Sequence, residues 1–312
     1  MLPKADGGRR PIGLFPAIIR VWARSRSHVA RRWESDNARG CLFGGPGMGA
    51  QKAAWQSGFR AEAAALNDCC FAQSLLDLVK AFEKIPHHVL ARLAVKFKFN
   101  LWLLRLSLAS NRVIGIDGSF SRPIQAVRGI TAGSVFATTE LRIIMIEAMD
   151  ATTVIWKTVV ISVYVDDCTL EAAGPGDQPT IVVAGATDTL VHFLEKDLEL
   201  EVSAVKSVAT ASCFSSAVRM ARMTRTRKVR PVRSAKLLGT PAAGGRRRST
   251  KVQQARLLNV KCKAKRVKFL ARTKANRYTR ARAADTLALT YGWDIMGLRI
   301  PFQRLGGQRS HP

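Results

Sequence analysis

The order of elements predicts an α+β fold. Apolar runs of strand length at residues 74–79 and 153–165 stand among helix-length segments without strict alternation, and the Asp117-Gly118 pair is a two-residue turn signal for a hairpin over residues 112–128. With 312 residues, 47% of them hydrophobic and 23% charged, the chain can bury a sizeable core spread over two or three subdomains.

Residues 1–60 are rich in Gly and Arg, with glycines clustered at 44, 45, 47 and 49, and read as loops and short elements. Within them residues 17–32 space apolar and basic side chains as a helix does, and residues 51–66 form an alanine-rich helix. Residues 74–79 are a short apolar strand holding one carboxylate, Asp77; a turn follows, and Pro86 starts a helix that reaches Val95. After the hairpin, residues 129–133 are a glycine-flanked turn opening a long helix over 134–150. The β-branched run 153–165 predicts a strand, which meets a second strand at 168–172 through an acidic turn at Asp166 and Asp167. A helix over 188–199 and a strand ending near Lys206 come next. Beyond Arg219 the chain is basic, with a Gly/Pro break at 239–245 and a helix over 251–282.

Fifty Lys and Arg against 22 Asp and Glu give a net charge of +28, which implies a polyanionic partner, nucleic acid before an anionic membrane surface, and is not needed by a small-molecule enzyme. The charge is uneven. Residues 219–312 hold 26 of the cations and only two acids, Asp285 and Asp294, for +24, while the rest of the chain carries +4. Lys261, Lys265, Lys268 and Arg272 recur at helical steps on one face, which suits contact with the phosphates of a nucleic-acid duplex. The competing readings are a disordered basic tail or a nuclear import signal at residues 246–248 or 263–266.

Six cysteines form no C-x-x-C pair, so neither a zinc knuckle nor a disulfide framework is indicated and a reducing compartment fits best. The N-terminus has no apolar signal region, and the longest apolar stretch is interrupted by Lys157. An intracellular protein, nuclear or cytoplasmic and not secreted or membrane-spanning, is expected.

Three carboxylates stand out by placement: Asp77 at the end of one apolar strand, and Asp166 and Asp167 at the turn of another. Nucleotidyl transfer uses divalent ions held by carboxylates from neighbouring strands, and these three are suited to that work. The alternative is an Asp pair that caps a hairpin turn and an unrelated surface Asp77.

Around them six blocks stand in an order that resembles the reverse transcriptase family, most closely its non-LTR retrotransposon type, over residues 4–239. The KADGGRRPI segment resembles the fingers block, and the resemblance implies that Lys4 and Arg10 contact the incoming triphosphate. The segment from Asp77 to Phe82 resembles the first catalytic block, with Asp77 a metal ligand and Phe82 a gate against the sugar 2′ position that favours deoxynucleotides. Residues 129–134, with Gly133, resemble the nucleotide-positioning block. Tyr164-Val165-Asp166-Asp167 matches the family's Y-x-D-D signature, Lys206 matches a lysine placed to protonate the leaving pyrophosphate, and Leu238 and Gly239 fall in a segment like the primer grip.

The resemblance implies a right-hand polymerase fold with a ferredoxin-like palm: partial fingers at 1–66, a palm at 67–214 with a fingers-type insertion near 100–130, and a helical basic thumb at 215–312. It implies two Mg²⁺ ions, with Mn²⁺ as the alternative, held by Asp77, Asp166 and Asp167. The partners would be an RNA template, a DNA primer or target, and dNTPs.

Three departures stand against full activity. Thr131 and Ala132 occupy positions where the family usually has Pro-Gln, Glu83 replaces a common Asp, and Met1 falls almost at the fingers block, as in a fragment. The alternative is therefore a catalytically inactive, retrotransposon-derived nucleic-acid-binding protein. An RNA-copying RNA polymerase is disfavoured by Phe82, and a purely basic structural protein leaves the carboxylates without a role.

Overall fold

The computed structural model describes residues 2–3, 9–10, 13–45, 47–131, 133–244 and the separate positions 252, 254, 255 and 258. Lys4, Ala132, Lys261, Lys265, Lys268 and Arg272 lie outside the described residues, as does most of the helix expected over 251–282, and only the backbone of Arg10 is described.

The chain opens with an antiparallel pair, β1 (Leu2–Pro3) and β2 (Arg9–Arg10). The helix expected over 17–32 is two, α1 (Ala17–Ser25) and α2 (Ser27–Asp36). The break at Arg26 has a local cause: the Ser25 and Ser27 hydroxyls bond back to the Trp22 and Arg24 carbonyls at 2.8 Å each, in competition with the helical ladder. Then come α3 (Ala50–Leu66) and β3 (Cys70–Leu76), which starts earlier than expected and stops just before Asp77. Three helices follow: α4 (Ala81–Lys84), α5 (His87–Lys96) and α6 (Leu101–Leu108), the last capped by the Asn100 side chain, which accepts from the Trp102 N–H.

The expected hairpin is present as two nested pairs, β4 (Asn111–Arg112) with β7 (Ile124–Gln125) and β5 (Gly115–Ile116) with β6 (Ser119–Phe120). Asp117 and Gly118 take φ of 49° and 86°, the left-handed values that a two-residue type I′ turn requires.

Helix α7 (Ala137–Ile155) overruns its expected end and takes the first residues of the strand expected over 153–165, leaving β8 as Val160–Tyr164. Here β-branching misleads, because the Thr152 and Thr153 hydroxyls bond back to the Ala148 and Met149 carbonyls and are satisfied inside the helix. Next come β9 (Asp167–Gly174) and α8 (Gln178–His192), which continues into a π-helical turn at Phe193–Asp197. This helix starts ten residues before the expected 188, since the run Thr180 to Val183 is helical and buries Thr180 and Val183. The strand expected to end near Lys206 instead begins after it, as β10 (Val208–Ala211), and Lys206 sits in the preceding turn. The last elements are α9 (Phe214–Met223), β11 (Arg230–Pro231), β12 (Ala235–Leu237) and β13 (Thr240–Ala242).

One sheet of order β11-β10-β3-β9-β8 organises the chain. Its four antiparallel strands β10-β3-β9-β8 stand in the order fourth, first, third, second along the chain, with α7 and α8 in the two crossovers, which is the ferredoxin-like βαββαβ topology. Strand β11 adds to its edge in parallel with β10. Side chains alternate between the faces. Ser74 points to α8, where the Thr187 hydroxyl donates to it at 2.8 Å, and Gln73 points to α3, where it donates to Ser57 at the same distance. On the α3 face Glu171 is fully buried and accepts hydrogen bonds from Ser57, Gln73 and Arg60. Leu141, Ile143, Ile144, Met145 and Ile146 of α7 are fully buried and form the centre of the core.

Glu140 of α7 is also fully buried. The Ser107 hydroxyl donates to its Oε2 at 2.6 Å, while Oε1 has no hydrogen-bond partner. Burial pushes this carboxyl up from 4.5 to about 7, against the opposing pull of the Ser107 hydrogen bond and the Arg112 charge. The folded chain therefore holds a proton that the unfolded chain releases. The group's contribution is full below the unfolded pKa and is lost as pH rises to about 7, at a cost on the order of 3 kcal/mol at higher pH. Glu140→Gln keeps an acceptor for Ser107 and is expected to remove most of that loss. Urea unfolding at pH 5 and pH 8 checks it, and an unchanged loss in the variant would assign the pH dependence elsewhere.

Among the described residues no helix is long and apolar enough to cross a membrane.

Candidate active site

The ladder register brings the three aspartates to one end of the sheet. Strand β3 runs antiparallel to β9 with Leu76 opposite Cys168, so one further step sets Asp77 opposite Asp167. Strands β8 and β9 close with Tyr164 opposite Asp167, leaving Val165 and Asp166 as the two turn residues. The register continues the α3 face, so Asp77 and Asp167 follow Gln73 and Glu171 on the same side of the sheet.

Both segments are braced by backbone bonds. The Asp77 N–H donates to the Ser207 hydroxyl at 3.0 Å, the Asp77 carbonyl accepts from the Ser203 N–H at 2.8 Å, and Val79 N–H bonds to Glu201 O. The β8 edge is held by residues 41–43: Phe43 N–H donates to Val163 O at 2.8 Å and Val163 N–H to Cys41 O at 2.7 Å. This bracing secures a strained turn, for Val165 has φ of 61°, a left-handed value that a β-branched residue adopts only at a cost.

Lys206 joins the aspartates, its Nζ 3.4 Å from Asp77 Oδ1. That oxygen is buried and accepts no hydrogen bond. Burial, with the neighbouring Asp77 and Glu83 charges and against the pull of Lys206, raises the Asp166 pKa. Asp167 is pushed up to about 6 by burial and by the Asp166 and Asp77 charges. Partly desolvated carboxylates that resist ionising together, beside an oxygen lacking a donor, are a donor set that a divalent cation satisfies. Among the described residues, no three His, Cys, Asp or Glu side chains are already gathered as a chelating cluster.

Of the other expected residues, Phe82, Gly133, Leu238 and Gly239 are described. Phe82 is half-buried against the core, and its carbonyl accepts from Ile130 N–H at 2.7 Å, which ties the segment after Asp77 to the segment 129–134. Gly133 lies so close to the segment before α1 that a Cβ there would run into the Gly13 carbonyl. Leu238 and Gly239 form the two-residue turn between β12 and β13, with φ of 46° and 87°. Leu237 and Leu238 line a small hollow of about 10 Å³ together with Tyr164, Asp167 and Ser57. Asp77, Asp166, Asp167, Lys206, Tyr164, Val165 and the 238–239 turn thus share one end of the five-stranded sheet. Ser207, whose hydroxyl fixes the Asp77 backbone, was not foreseen from sequence, and its one signal is its place directly after Lys206.

A ferredoxin-like sheet with carboxylates at a strand end and an adjoining hairpin turn is the architecture of a polymerase palm. The sequence model of the reverse transcriptase (RNA-dependent DNA polymerase) family matches residues 2–271, and the chain belongs to that family. No curated protein matches it in sequence. Among solved structures, that of apo telomerase from Candida tropicalis aligns with a TM-score of 0.52 at 9% identity, over 94% of this chain and 52% of that one. A form of the same enzyme truncated from its C-terminal domain aligns with a TM-score of 0.49 at 8% identity, over 72% of this chain and 43% of that one. At 9% identity the likeness to the first of these is one of fold, and the chain spans about half the length of these telomerase chains.

Proposed function

We infer that the chain is the RNA-directed DNA polymerase core of a non-LTR retrotransposon, adding deoxynucleotides to a primer 3′-hydroxyl on an RNA template. The observation that carries this reading is the register that sets Asp77 opposite Asp167, beside Asp166 and Lys206. Residues 1–66 act as partial fingers, 67–214 as palm and 215–312 as thumb.

Asp77, Asp166 and Asp167 hold Mg²⁺, or Mn²⁺ in its place, which supplies activation of the 3′-hydroxyl and charge neutralisation on the triphosphate. The chain's own residues do the rest. Lys206, mostly exposed and reaching Asp77 from a turn, is free to swing toward the leaving pyrophosphate and give it charge or a proton. Phe82 crowds the sugar 2′ position and selects deoxynucleotides. Tyr164 and Val165 lie along the nascent base pair, and the Leu238-Gly239 turn supports the primer end. Lys4 and Arg10 bind phosphate oxygens from the fingers side, Arg10 by its planar fork.

Extension of a DNA primer on an RNA template by the wild-type chain, lost in Asp166→Ala, tests the reading. Thr131 and Ala132 in the positioning block favour a second reading, a nucleic-acid-binding protein without catalysis, for which RNA binding without extension is the signature.

The basic third gives a further expected result. With 26 Lys and Arg beyond residue 218, template-primer binding should weaken steeply with salt, by a log–log slope of about −0.9 per phosphate neutralised on B-form DNA. Deleting residues 240–312 would flatten that slope, but Thr240 belongs to β13 and pairs with Leu237, so the cut belongs after Gly244. A slope unchanged in the chain ending at Gly244 would place the grip in the body.

A further inference from the structure

Arg112 of β4 makes contacts that its place in a short exposed hairpin does not require. Its guanidinium donates to three backbone carbonyls: Ser107 at 3.2 Å, Arg128 at 3.4 Å, and Gly129, the first residue of the positioning block. The same Gly129 oxygen lies 2.8 Å from His87 Nε2. Arg112 Nε is buried without a hydrogen-bond partner; burial lowers the guanidinium pKa, and the Glu140 carboxyl of α7, itself bonded to Ser107, opposes that shift when it is ionised.

The Gly129 backbone is held on its other side too. Its N–H donates to Ile85 O at 2.7 Å, and the next residue, Ile130, donates to Phe82 O at 2.7 Å. With φ of 83°, and with space where a Cβ would come within 2.6 Å of Glu83 O, position 129 admits only glycine without strain. The segment 82–85 carries Phe82, which the polymerase reading sets against the sugar, and the guanidinium and that segment grip one peptide from opposite sides. Arg112 also lines, with Glu83, Ile130, Thr131 and Gly13, a cavity of about 660 Å³ between the fingers segment and the positioning block.

We propose that Arg112 is a positioning residue, whose guanidinium fixes the Gly129 peptide against the Phe82 turn and so sets how closely Phe82 approaches the sugar of the incoming nucleotide. This inference rests on the polymerase reading given above. A planar fork can serve three carbonyls at once, whereas a lysine ammonium at the same position cannot reproduce that geometry.

The test uses the full chain carrying Arg112→Lys and Arg112→Ala, with steady-state extension on deoxynucleotides and ribonucleotides and thermal unfolding in parallel. The expected result for Arg112→Lys is a KM for deoxynucleotide raised about 10-fold with kcat changed less than about 2-fold, and a weakened preference for deoxynucleotides over ribonucleotides. Added methylguanidinium should lower the KM of Arg112→Ala toward wild type; if that variant does not fold, Arg112→Lys alone decides. Wild-type extension with KM and sugar preference unchanged in the variants, or with KM and kcat following only the folded fraction, overturns the inference and leaves the polymerase reading standing. Absence of extension by the wild-type chain overturns both.

Discussion

Asp77→Asn is expected to lower primer extension by about three orders of magnitude or more while leaving the fold in place. The side chain is one-third exposed at a strand end, and its backbone, held by Ser207 and Ser203, does not depend on the carboxylate. What the substitution removes is charge. One of three neighbouring carboxylates becomes neutral, so the pull on a divalent cation weakens and the repulsion that raises the Asp166 and Asp167 pKa values is relieved. Thermal unfolding should change by less than about 1 kcal/mol, as for a substitution at an ion pair whose lysine is largely in water. Extension and circular dichroism on the same preparation check both halves, and a folded Asp77→Asn that extends normally would remove Asp77 from the chemistry.

Arg60→Ala is the substitution expected to cost most in stability. Glu171 has no exposure, and Arg60 is its cationic partner, donating from Nε to Oε1 at 3.0 Å, with Ser57 and Gln73 on Oε2. Removing the guanidinium strands a buried carboxylate, which costs about 3–5 kcal/mol, a large part of the total stability of an ordinary domain. The effect reaches the active end, because Glu171 lies on β9, the strand that begins at Asp167, and Ser57 lines the hollow shared with Tyr164 and Leu238. Pairing the change with Glu171→Leu removes the stranded charge and should recover most of the loss. Denaturant unfolding of the single and double variants measures this, and a single variant that loses under about 1 kcal/mol would show that Arg60 does not compensate Glu171.

The hairpins were legible in the sequence because their turns demand unusual backbone. Asp117-Gly118 accept left-handed φ cheaply, and two acids after a β-branched run mark a strand end. Helix ends were harder to read. Thr152 and Thr153 carry a strand preference that a return bond to the preceding helical turn cancels, and the Thr180 to Val183 run is helical because it packs on the sheet. The aspartates and Lys206 could be picked out individually, but Ser207 could not, since its partner Asp77 lies 130 residues away and a serine after a lysine carries no pattern of its own. Arg112 and Glu140 were silent for the same reason. A charged residue in a hairpin or on a helix reads as solvated, and only contacts between segments distant in sequence, Ser107 with Glu140 and Arg112 with the Gly129 carbonyl, take the Glu140 carboxyl and the Arg112 Nε out of water.

The measurement that bears most directly on the proposed activity is extension of a labelled DNA primer annealed to an RNA template, with deoxynucleotides and Mg²⁺, by the wild-type chain and by Asp166→Ala. The expected result is template-complementary DNA from the wild type and none from the variant, at equal binding of the template-primer. Equal binding with no product from either chain, or equal product from both, would contradict it.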